Sequence, residues 1–202
     1  MLTAILLTAC TSPEPERISI PDSQMPINTP EHEAIAQKYL YPLPMIFFKQ
    51  FSPDDMSAFD EMFPSLFGHI YFRYNPDNDL GLMDQDTEVC GDVLEAVMMG
   101  ILPFTPEQIR SAYARFYDAE RHVYTATFGG IGSGGPVTFI ITGSRTENRM
   151  LILSYDIYVG DFDTHPWPGD EFHWVLYASG ETYMQVDGYD FKIISNALNK
   201  MK

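Results

Sequence analysis

The sequence predicts an α+β fold in which N-terminal helices pack on one face of a mostly antiparallel C-terminal sheet. Three observations lead there. The first half carries three helix-start cassettes, "TPEH" at Thr29, "SPDD" at Ser52 and "TPEQ" at Thr105. From His122 onward the hydrophobic period changes from helical to alternating. The strand candidates are also joined by connections too short for crossover helices, which makes neighbours antiparallel. In each cassette a hydroxyl side chain can cap, proline takes the first helical position where its missing N–H costs nothing, and an acid follows where the helix dipole favours it.

The elements follow in chain order. The first helix carries Ile35 and Tyr39 and is broken by Pro42 and Pro44. The second, from Pro53, sets Met56, Phe59 and Phe63 on one stripe, continued past Pro64 by Leu66, Phe67, Ile70 and Tyr71. A third helix is expected from about Thr87 to Ile101, with Val89, Val93, Val97 and Met98 as its apolar stripe. The fourth starts at Pro106 and is short. "HVYTATF", "PVTFIITG", "RMLILSYDIYVG", "EFHWVLYAS" and "YDFKIISNAL" then read as strands, and "VDGYD" from Val186 supplies a hairpin turn. Helices laid on such a meander are similar to cystatin-like and NTF2-like architectures, a likeness of fold that carries no function.

Composition narrows the functional classes. Asp plus Glu number 28 against 12 Lys plus Arg, a formal net charge of −16 spread along the chain. Without clustered basic side chains to neutralise phosphates, nucleic acid is excluded as a partner.

The first ten residues, "MLTAILLTAC", form an apolar run too short to span a bilayer that ends in small residues before a cysteine. Leu7-Thr8-Ala9-Cys10 resembles the lipobox of bacterial lipoproteins, with no Lys or Arg ahead of it as the one departure. The resemblance implies that residues 1–10 are a signal peptide, that Cys10 is the lipid attachment site, and that the protein sits on the extracytoplasmic side of a bacterial cell envelope. Residues 11–30, rich in Pro, Ser and Thr, read as an extended tether, and 31–202 as a single α+β domain. "YDAERHVYTATFGGIGSGGP", "LSYDIYVGD" and "GYDFKIISN" are similar to the C-terminal part of small envelope lipoproteins that have no assigned activity. With Cys10 lipidated, Cys90 has no intramolecular disulfide partner and is expected as a small buried filler.

Chemistry-bearing motifs are few. Gly130, Gly132 and Gly135 have dinucleotide-loop spacing, but Pro136 leads into a strand instead of the helix that would receive a pyrophosphate. Ser133 fails as an elbow nucleophile because Ile131 stands at the first glycine position. Asp77 and Asp79 fall in register for calcium, yet Leu80 occupies the place where an EF-hand loop needs glycine. The stretch from Asp161 to His173 gathers Asp161, Asp163, His165 and Asp170 as potential zinc or calcium ligands for a metal-assisted hydrolase, while His173 alternates within a strand as a sheet-face residue. His32, His69 and His122 form no triad readable from their spacing. Trp167, flanked by Pro166 and Pro168, is a rigid aromatic suited to contact a partner. The sequence thus favours a non-enzymatic, lipid-anchored binding module for an envelope protein, peptide or glycan, with the hydrolase and a calcium-stabilised structural module as the alternatives.

Overall fold

The computed structural model describes residues 19–55, 57, 67, 86–127, 136–160, 173–187 and 190–200. Within them the chain is a mixture of few helices and a curled antiparallel sheet, an α+β arrangement.

Strand β1 (Ser19–Pro21) opens it, followed by a 3-10 turn at Asp22–Gln24. Helix α1 (Pro30–Ile35) starts as its cassette dictates: Thr29 Oγ1 accepts the His32 N–H at 3.2 Å, and Glu31 and Glu33 sit in the first turn. It widens into one π-helical turn at Ala36–Leu40, closed by the Tyr41 N–H to the Ala36 carbonyl at 3.0 Å, and a 3-10 segment, Pro44–Phe48, follows. The second cassette departs from expectation. Ser52 and Asp55 bridge each other through their backbones, so no helix starts at Pro53; Ser57, whose N–H Asp55 Oδ1 accepts at 3.0 Å, is in 3-10 conformation, and of the stripe proposed beyond it only Phe67, helical and buried, lies within the described residues.

The third helix is also corrected. Asp86–Cys90 is strand β2, and the helix, α2, covers Gly91–Ile101. Pairing of β2 with β4 (Val123–Thr127) outweighs the local helical pattern. Its buried side is therefore Gly91, Leu94, Glu95 and Met98 at helical spacing, while Val93 is exposed and Cys90, expected inside, is exposed too. Helix α3 (Pro106–Ala112) has a full capping box, Thr105 and Gln108 each bonding the other's backbone N–H.

Strand β3 (Tyr117–Asp118) joins β4 and β2 in a three-stranded antiparallel sheet of order β2-β4-β3. The larger sheet contains β5 (Val137–Glu147), β6 (Met150–Gly160), β7 (His173–Asp187) and β8 (Asp190–Lys200). Strands β5, β6 and β7 are consecutive neighbours, and the free side of β7 is divided: β1 pairs along 173–175 and β8 along 178–187. Between β5 and β6, Asn148 and Arg149 both have positive φ, 49° and 65°, as a two-residue type I′ connection requires. β7 runs beyond the expected "EFHWVLYAS" to Asp187, and its hairpin partner register closes at Asp187↔Asp190.

The segment expected as tether up to residue 30 is docked from Ser19 onward. Besides the β1–β7 pairing, Trp174 Nε1 donates to Asp22 Oδ1 at 2.7 Å. The Asn28 amide also stands in for a neighbouring strand on β5, donating to the Phe139 carbonyl and accepting from the Ile141 N–H, both at 2.8 Å. Since β1 lies beside β7 and Asn28 beside β5, residues 21–28 run from one side of the sheet to the other.

One continuous buried cluster takes side chains from the π turn, the 3-10 segment, α2, α3 and strands β4 to β8. Its centre is a triangle of edge-to-face rings, Phe47, Phe139 and Tyr155, with centroids 5.8 to 5.9 Å apart.

Candidate functional site

A polar constellation lies where β2 turns directly into α2 and the β3–β4 hairpin folds against that junction. Hairpin pairs Tyr117↔Tyr124 and Asp118↔Val123 leave residues 119–122 as the connection. Asp118 Oδ1 accepts the backbone N–H groups of Glu120 at 2.9 Å and Arg121 at 3.1 Å, the local bonding that makes Asp a turn former. His122 completes the turn in the left-handed region with φ of 53°. Its carbonyl accepts the Gly91 N–H at 2.8 Å, and its ring lies over Gly91 so closely that a Cβ there would stand 2.7 Å from Cε1. Glycine is thus required at the first position of α2 for the histidine ring to occupy this place.

The ring bridges two further side chains. His122 Nε2 is 2.9 Å from Asp92 Oδ1, and His122 Nδ1 is 2.5 Å from the Tyr117 hydroxyl. An ionised carboxylate only accepts, so in the neutral imidazole Nε2 carries the hydrogen and Nδ1 accepts from Tyr117. The three side chains form a directional relay from phenol to imidazole to carboxylate. It is open to water: the His122 side chain is 32% exposed and that of Asp92 82%.

Beneath the relay sits a second polar group. The Tyr117 ring packs at 4.8 Å on Tyr124, whose hydroxyl donates to Glu95 Oε1 at 3.0 Å. Glu95, 3% exposed, receives a two-pronged contact from Arg110, Nε to Oε1 at 2.8 Å and Nη2 to Oε2 at 2.7 Å. Burial, then the neighbouring Glu95 carboxylate, push the Tyr124 hydroxyl far above its ordinary range, so it remains a donor. The hydrogen bond to Glu95 likewise holds the Arg110 guanidinium charged. At the rim, Arg121 makes a two-pronged contact with Glu88, at 2.7 and 2.5 Å, and that hydrogen bonding holds the Glu88 carboxyl below its usual range.

Chemically, the relay can pass the Tyr117 proton to His122 while Asp92 steadies the resulting imidazolium, the division of labour of a nucleophile, base and orienting acid. The separation of Asp92 from His122 by thirty positions hides this group from motif reading, and the expectation that the histidines form no triad is corrected for His122. The one local signal was "YDAERH", in which Asp118 marks a turn that presents Tyr117 and His122 on its two ends.

Cys10, Asp77, Asp79, Asp161, Asp163, His165, Trp167, Asp170 and the glycine loop lie outside the described residues, as does His69. His173 is in β7 as anticipated, half-buried, with Nδ1 3.4 Å from Ser19 Oγ. Among the described residues no group of three or more His, Cys, Asp or Glu side chains is placed to hold a metal ion, and no helix is long and apolar enough to cross a membrane. Compared with known protein families, curated proteins and solved structures, the chain matches none.

Proposed function

We propose that this protein is a lipid-anchored domain on the extracytoplasmic face of a bacterial envelope, acting as a binding module for a protein, peptide or glycan held close to the membrane. The observation that carries the reading is the pairing of Ser19–Pro21 with β7. With Cys10 as the lipidated residue and Ser19 already paired with β7, only residues 11–18, eight in all, separate anchor from sheet. At roughly 3.5 Å per extended residue they reach about 30 Å at most. A domain on so short a lead meets partners near the bilayer and carries its β1 side towards the membrane. The net charge of −16 opposes anionic headgroups, so the acyl chains, at about 0.8 kcal/mol per buried methylene, and not the protein surface, supply the attachment. In this reading the helices cover one face of the large sheet, as in cystatin-like and NTF2-like architectures, and leave the rest of the surface to the partner.

The test is metabolic labelling with an alkyne fatty acid, followed by membrane fractionation of the full-length protein and Cys10→Ala. Label and membrane association that both vanish in Cys10→Ala support the reading; unlabelled protein, or unchanged fractionation of the variant, removes the anchor. Cross-linking of the anchored protein in intact cells then tests binding, and recovery of no envelope component would remove the module function.

A further inference from the structure

We propose that Tyr117 is a nucleophilic phenol, activated by His122 and positioned through Asp92, that accepts an acyl group from a neutral activated acyl donor such as an aryl ester or thioester. The geometry argues for more than a pin between hairpin and helix. Both ring nitrogens of His122 are engaged in the one order that leaves Nδ1 free to take the phenol proton, with separations of 2.5 and 2.9 Å. The ring is held from three sides, by Tyr117, by Asp92 and by the side-chain-free Gly91. The Tyr117 ring is in turn fixed against Tyr124, whose hydroxyl is tied to buried Glu95, itself held by Arg110.

The substrate class follows from two physical limits. Phenolate is a weaker base than alkoxide, so it displaces only leaving groups no more basic than itself, those with a pKa below about 10. Ordinary alkyl esters and amides fail that condition, whereas aryl esters and thioesters meet it. Charge sets the second limit. Asp92 belongs to the relay and Asp118 follows Tyr117 in β3, while the charges of Arg110, 5.8 Å from the Tyr117 ring, and of Arg121 are already balanced by Glu95 and Glu88, so an anionic phosphoryl or sulfuryl donor would be disfavoured. In the step itself the Tyr117 oxygen bonds to the acyl carbon as its proton moves to His122 Nδ1. The carbon–oxygen or carbon–sulfur bond to the leaving group then breaks, and His122 returns the proton to the departing anion. The products are O-acyl-tyrosine and the free phenol or thiol.

The experiment is acetylation of the full chain by p-nitrophenyl acetate, with nitrophenolate release followed by absorbance and the modified residue mapped by mass spectrometry. One acetyl group, on Tyr117, is the expected result, absent in Tyr117→Phe. His122→Gly, which keeps the left-handed backbone and leaves a ring-sized gap, should slow the reaction about 100-fold and recover when imidazole is added. Asp92→Asn, on an exposed side chain, should slow it about 2- to 5-fold and remove the Nε2–H preference from the imidazole nitrogen shifts of His122. Acetyl groups scattered over lysines and other tyrosines without preference for Tyr117 would overturn the proposal. So would an unchanged rate in Asp92→Asn, which also carries the test should His122→Gly fail to fold.

Discussion

The two sheets bury polar groups by opposite means. In the large sheet the interior polar group is neutral: Tyr155 donates to Asn196 Oδ1 at 2.6 Å, and the Asn196 amide donates to the Lys49 carbonyl at 2.8 Å, with Asn196 only 1% exposed. Burial pushes the Tyr155 hydroxyl well above its usual range, so it stays a donor. That network ties the 3-10 segment to β8, helped by reciprocal backbone bonds between Phe51 and Asn196 at 2.9 and 3.0 Å. Against the small sheet the buried group is the α2 carboxylate Glu95, paired with half-exposed Arg110 of α3, and the polar chain continues outward through Tyr124 and Tyr117 to solvent-facing His122 and Asp92. A neutral buried network satisfies backbone carbonyls and stays closed. A charged one that reaches the surface keeps a histidine beside a phenol at the solvent boundary.

The largest test of the contrast is Glu95→Ala. It leaves the buried Tyr124 hydroxyl without its acceptor and opens a gap beneath α2, while Arg110, whose side chain is 37% exposed, can rehydrate. The unsatisfied Tyr124 hydroxyl and the cavity left by Glu95 together place the loss at about 3 kcal/mol, or roughly 6–12 °C in Tm for a chain of this length. Urea unfolding measures it, and a loss under about 1 kcal/mol would mean that Glu95 is not buried in solution.

A second comparison sets one glycine in each region against the other. A Cβ at Gly180 would come within 2.6 Å of Tyr155 Cζ and Oη, a ring that is buried and held by Asn196, so Gly180→Ala should cost about 2–3 kcal/mol. At Gly91 the obstacle is the His122 ring, which can swing into water, so Gly91→Ala should cost about 1 kcal/mol. It should, however, separate His122 from Tyr117 and slow acetylation much as His122→Gly does. Equal destabilisation by the two variants would erase the distinction between a closed and an open polar network.

The smallest expected effect is an acid limb. Tyr183 and then Arg145 donate to Glu181 on the large sheet and hold its carboxyl below the ordinary 4.5. A carboxyl depressed in the folded state stabilises it above that ordinary value, and the contribution is lost as pH falls through the lower, folded one. The urea midpoint should therefore decline as pH drops from about 4.5, and Glu181→Gln should shallow the decline. A variant that follows the parent curve throughout would show that Glu181 is equally free in both states.

Much of this fold was legible because it rests on short-range chemistry. The caps at Thr29 and Thr105 bond groups three residues away, and Pro42 and Pro44 end the first helix without reference to anything distant. Strands β4 to β8 could be read from alternation because one side of each faces the core. Elements that long-range pairing decides are not legible locally: β2 carries a helical pattern, β1 a tether-like composition, and Cys90 the pattern of a buried filler, although it lies exposed at the junction with α2.

By itself, then, the sequence determined the α+β class, two of three helix starts, the meander and the acidic surface, since each follows from interactions within a few residues or from composition. Only the tertiary structure decided where β1 docks, which face of α2 is buried, and that Asp92, Tyr117 and His122 meet. Those outcomes depend on partners up to about 150 residues away, as with Ser19 and Val175. The free energy of such pairing is not written in the local pattern of either partner.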